Sequence, residues 1–102
     1  MRPLRQEDMM AKLLMFHGQE CPHCHRMMPL VEKLESETGI RIEKREVWHD
    51  EANQDLMRGY KDILKPKCGG QLRVPAFLNP ETQDALCGEV EYEKLKDWAL
   101  KQ

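Results

Sequence analysis

Apolar residues fall along this chain in short blocks whose spacing alternates between continuous runs and a helical period. Lys12 to His17 holds four consecutive apolar residues, Leu13-Leu14-Met15-Phe16, the pattern of a short strand buried on both faces. Gly18-Gln19-Glu20 then turns the chain. Cys24, Met27, Met28, Val31 and Leu34 recur at the spacing of an amphipathic helix that closes before Gly39. Ile40 to Trp48 reads as a second strand, with an alternation that breaks at Lys44-Arg45. Asp50 is suited to cap a further helix, on which Ala52, Leu56, Tyr60, Ile63 and Leu64 form one apolar stripe and which Pro66 stops.

A polar loop containing Cys68-Gly69-Gly70 follows. Val74 to Leu78 and Asp84 to Cys87 are two short strands separated by Asn79-Pro80-Glu81-Thr82-Gln83, which reads as a hairpin. The last stretch, Glu91 to Lys101, is helical with Tyr92, Leu95, Trp98 and Ala99 facing inward. The order β-α-β-α-β-β-α implies a parallel pair joined by a right-handed crossover, then an antiparallel hairpin. The expected fold class is therefore α/β, a four-stranded mixed sheet with helices on both faces. Residues 1–11 are polar and are expected to form a mobile N-terminal extension to a domain spanning 12–102.

Composition narrows the functional classes. With 102 residues the chain supports one modest core, and a monomer is expected. Charged residues make up 33% of the chain, yet the net charge is only -2 and Lys and Arg are spread along it, so no nucleic-acid partner is expected. The run Leu13–Phe16 is far too short to span a bilayer, so no membrane partner is expected either. The first twelve residues carry acids and lack the apolar core of a secretory signal, which makes the cytoplasm the expected location. In that compartment a C-x-x-C is more often catalytic or metal-binding than a structural bridge.

The stretch Glu20-Cys21-Pro22-His23-Cys24-His25 carries the chemistry. If Cys21 caps the helix, Pro22 occupies the first helical position, where a missing N–H costs nothing. The Cys21 sulfur can then accept from the amides of His23 and Cys24, at the positive end of the helix dipole, where a thiolate is favoured. Cys24, three residues on, neighbours Cys21 and faces the apolar side, which keeps its thiol neutral. Cys24 can therefore attack a mixed disulfide formed on Cys21. His23, lying between the cysteines, is suited to tune the couple through its positive charge, whereas His25 and Arg26 read as exposed polar residues.

Two other chemistries fit the same letters. Zinc or copper could be held by Cys21 and Cys24 with His17, His23, His25, Cys68 or Cys87, although Cys68 and Cys87 stand nineteen positions apart and make a poor second pair. Haem attachment would use C-x-x-C-H with His25 as axial ligand, but the strand pattern does not suit a wrapped haem.

From Lys12 onward the chain resembles the thioredoxin superfamily. The resemblance rests on a buried strand leading into Cys21-Pro22-His23-Cys24, on Pro29 five residues after Cys24, and on Val74-Pro75 at the start of the third strand. It implies a thioredoxin-like fold of glutaredoxin size and a thiol–disulfide oxidoreductase. Cys21 and Cys24 would be catalytic, Pro22 and His23 would tune the couple, and Val74 with a cis Pro75 would shape the substrate groove. It implies no cofactor, because the cysteine pair carries the electrons. The implied partners are protein or small-molecule disulfides and thiols, with a recycling reductase or oxidant. Arg73-Val74-Pro75 stands where glutaredoxin has Thr-Val-Pro, and Cys87-Gly88 where it has a double glycine, so glutathione binding is not implied.

By the same analogy Cys87 lies close to the dithiol and could serve as an auxiliary thiol. A small buried hydrophobe is the favoured reading, and a Cys68–Cys87 bridge is a third.

Overall fold

The computed structural model describes residues 13–102. The expected extension over residues 1–11 lies outside them. Among the described residues four strands form one sheet in the order β2-β1-β3-β4. They are β1 (Leu13–His17), β2 (Ile42–Glu46), β3 (Ala76–Asn79) and β4 (Asp84–Cys87). β1 runs parallel to β2, from Leu13 opposite Ile42 to His17 opposite Glu46. It is antiparallel to β3, which pairs in turn with β4 in the expected hairpin. The helices are α1 (Pro22–Thr38), α2 (Glu51–Gly59), α3 (Lys61–Lys67) and α4 (Tyr92–Leu100).

Strand periodicity divides the interior into two cores. Leu13 and Met15 face one side of the sheet and join Cys21, Cys24, Met27, Val31 and Leu34 with Leu95 and Trp98 of α4. Leu14 and Phe16 face the other side and join Val47, Met57, Leu64 and Cys68. All four apolar residues of β1 are buried, which is why their run is continuous rather than alternating.

Local signals set the helix ends. Gly39 adopts the left-handed conformation, φ 78°, at the C-cap of α1, and its N–H bonds the Glu35 carbonyl. Asp50 caps α2 through a hydrogen bond from the Asn53 amide.

The structure corrects the expected elements in four places. The single helix expected after Asp50 is two, broken at Tyr60 (φ -108°, ψ 19°). There Gly59, a poor helix former, ends α2, and the Tyr60 amide turns back to Met57. The break shifts the buried face, so that Met57 and Leu64 are buried rather than the whole expected stripe. Pro66 does not stop α3, which runs through it to Lys67. β3 begins at Ala76 rather than Val74, and Pro75 has no N–H to give a ladder. β2 spans only Ile42–Glu46.

Cys68 and Cys87 form a disulfide with Cα atoms 5.3 Å apart. Neither the favoured reading of Cys87 as a free buried hydrophobe nor its role as an auxiliary thiol describes this state. The hairpin carries the end of β4 beside the C-cap of α3, an encounter that separations along the chain do not reveal. Replacing both Cys68 and Cys87 by Ser should lower stability by roughly 3 kcal/mol in urea unfolding, the effect of opening a loop of about this length. An unchanged midpoint and slope would show that the bridge contributes nothing.

Candidate functional site

The site starts where β1 ends. The Cys21 amide donates to the Gly18 carbonyl at 3.1 Å, closing the turn between β1 and α1. Glu46, opposite His17 on β2, holds that turn from the side. Its carboxylate accepts from the Gln19 amide at 2.9 Å, the Trp48 amide at 3.1 Å and the His49 amide at 2.9 Å. Partial burial alone would raise the Glu46 carboxyl, but the three amides outweigh it and hold the group below its ordinary value. A Cβ built at Gly18 would lie 2.3 Å from the Trp48 indole, so any side chain there would force the indole to shift. Glu20, immediately before the first cysteine, pairs with His49 at 2.7 Å and raises that imidazole.

Cys21 occupies the N-cap of α1 with extended backbone (φ -82°, ψ 114°), and Pro22 follows in the first turn. Its Sγ accepts from the Cys24 amide at 3.2 Å. The expected second donor, the His23 amide, is not a partner of the sulfur; the cap rests on Cys24 alone. The two sulfurs stand 2.6 Å apart, with the Cys24 thiol donating to Cys21 Sγ. Both residues are free cysteines and buried. Burial, and then the hydrogen bond to Cys21, push the Cys24 thiol up to about 12. Cys24 is thus a protonated donor and Cys21 the acceptor, an asymmetric pair.

The first turn of α1 is tied to the far end of the chain by Glu89. One carboxylate oxygen takes His23 Nδ1 at 2.8 Å, the other Arg26 Nε at 2.8 Å. Arg26 first, and His23 second, hold the Glu89 carboxyl down at about 2. Arg26 is therefore not the bystander that the sequence suggests. His25 turns away to the Gln19 carbonyl.

The Val74–Pro75 peptide bond is cis. The Pro75 carbonyl accepts from the Gly88 amide at 2.7 Å, joining the start of β3 to the end of β4. A recess of about 370 Å³ is lined by His23, Val74, Pro75, Cys87, Gly88 and Glu89, so four of the expected site residues share one concavity. Across Arg73 and Val74 it meets a second cleft of about 450 Å³ that includes Trp48, Met57 and Leu72. The metal alternative finds no such convergence: among the described residues no three of His, Cys, Asp or Glu are grouped to hold an ion.

Sequence reasoning missed Glu46, Glu89 and the contact of Trp48 with Gly18. Each depends on a partner far along the chain, and only Gly18, a glycine at a strand end, left a trace.

No protein-family model and no curated protein matches the chain. Among solved structures it is similar to a glutaredoxin from Archaeoglobus fulgidus, with a TM-score of 0.61 and 22% identity, over 91% of this chain and 89% of that one.

Glu46 gives this region a pH dependence of known sign. A carboxyl lowered on folding contributes stability above its unfolded value of about 4.3, and the contribution is lost as pH falls through the lower folded value. Glu46→Gln should therefore melt earlier than the parent at pH 7, and the gap in melting temperature should close as both are acidified towards pH 3. A gap that is absent at neutral pH would remove Glu46 as a clamp. In architecture, the chain is a thioredoxin-like α/β fold of the glutaredoxin kind.

Proposed function

We propose that this protein is a thiol–disulfide oxidoreductase in which Cys21 attacks and Cys24 resolves. The observation that carries the reading is the asymmetric sulfur pair at a helix N-terminus, with a protonated Cys24 donating to Cys21 across 2.6 Å. A helix start stabilises negative charge on its cap, and the thiolate is the nucleophile in exchange.

The reaction runs in two displacements. The Cys21 thiolate attacks one sulfur of a client disulfide, forming a mixed disulfide and expelling the other client sulfur as thiolate. Cys24 then attacks Cys21 Sγ, and the second client sulfur leaves, taking up the proton that Cys24 gives away. Two electrons pass from the dithiol to the client, and the protein is left with a Cys21–Cys24 disulfide. Met15, fully buried in the same core as Cys24, supplies no acid or base for this step. In this reading the proton of Cys24 is taken up by the departing client sulfur, and clients whose thiols are more acidic leave faster.

Recycling requires an external thiol or dithiol in the reducing direction and a disulfide oxidant in the other. Val74 and Pro75, beside His23 in the recess, form the groove in which a client strand would lie. Pro22 fixes the backbone between the cysteines, and His23 sets an imidazole, tied to Glu89, on the turn that follows Cys21. The unit that performs the chemistry is the whole of residues 12–102. The partners in this reading are protein or small-molecule disulfides.

Cys21→Ser should abolish reduction of a protein disulfide, whereas Cys24→Ser should accumulate mixed disulfides visible on non-reducing gels. Turnover by Cys21→Ser at the parent rate would sink the mechanism.

A further inference from the structure

The proposed exchange needs no residue beyond the two cysteines, yet the first turn of α1 is engaged by a carboxylate from the other end of the molecule. Glu89 follows Gly88, whose φ of 96° suits glycine and whose amide is fixed to the Pro75 carbonyl at 2.7 Å. The placement of Glu89 is thus built into the junction of β3 and β4. Its two oxygens take His23 and Arg26 simultaneously, each at 2.8 Å. Arg26 is a permanent cation that interacts electrostatically with Cys21 itself, and its guanidinium also meets His23 Nδ1 at 3.0 Å. Arg73, in the loop before Pro75, also lines the recess.

We infer that Glu89 is a positioning residue and counter-charge that keeps the Cys21–Cys24 couple less oxidising than His23 and Arg26 alone would make it. The inference rests on the proposed exchange chemistry. Cations beside Cys21 stabilise its thiolate, hence the reduced dithiol, and so make the couple more oxidising. A carboxylate bound to those same cations cancels part of their field and adds a repulsion of its own. The Cys-Pro-His-Cys turn therefore works at a potential set jointly by α1 and by a residue 66 positions from His23.

The sign of the effect separates this role from a scaffolding one. Glu89→Gln keeps hydrogen-bonding atoms for His23 and Arg26 while removing the charge. Equilibrating the Cys21–Cys24 pair with glutathione buffers, and counting both thiols by alkylation and mass, gives the equilibrium constant for the parent and the variant. We expect Glu89→Gln to favour the dithiol by about two- to fivefold, the range of exposed ion pairs. That is a potential raised by roughly 10–20 mV at ~30 mV per tenfold. Arg26→Gln should move the constant the opposite way. The Glu89→Gln difference should shrink in ~1 M salt, where charges are screened beyond about 3 Å.

An unchanged constant in Glu89→Gln, a shift towards the disulfide, or a shift indifferent to salt would overturn the role of Glu89. Failure of the parent protein itself to equilibrate with any thiol–disulfide buffer would instead overturn the exchange reading, and the inference with it.

Discussion

One hydrogen bond organises the site: the amide of Cys24 donating to the sulfur of Cys21 at 3.2 Å. It takes one of the free N–H groups that every helix start presents and gives it to a thiol side chain. The same contact places residue i+3 beside residue i, which brings the second sulfur within reach. Helix initiation, charge stabilisation and sulfur proximity are therefore a single geometric event. A serine at Cys21 would preserve the cap and remove the sulfur pair.

Everything around that bond serves to hold the start of α1 against the sheet. β1 delivers the chain from a position where both of its faces are packed. Glu46 on the neighbouring strand fastens the connecting turn through three amides, while the Trp48 indole packs over Gly18. From the opposite direction Glu89 reaches in from the end of β4. The first turn of the helix is thereby fixed by both flanks of the sheet, although the polar groups that fix it are largely exposed.

Much of this was readable in residue order because the signals are local. The β1 run, the caps at Asp50 and Gly39, Pro22 behind Cys21 and the hairpin ending at Cys87 all act within a few neighbours. The break at Tyr60 was not readable, since an apolar stripe looks continuous until the turn geometry at Gly59 is known. Glu89 was hidden, and the Cys68–Cys87 bridge stood as only one of three readings, for a different reason: their partners meet only once the sheet has formed. The bridge also bears on location, because reducing compartments disfavour such bonds. Among the described residues no helix is long and apolar enough to cross a membrane.

The two sulfur pairs belong to different cores. Cys21 and Cys24 pack with Leu13, Met15 and α4, whereas Cys68 packs with Leu14, Phe16 and Met57, and Cys87 lies against that second group. Four cysteines admit three pairings, and free thiols in a chain that also holds a disulfide can exchange with it. Here a wrong pairing would require Cys21 or Cys24 to leave the core in which it is buried. The two pairs thus sit in separate cores, one as free thiols and one as a disulfide, so that both sulfur states coexist in one small molecule.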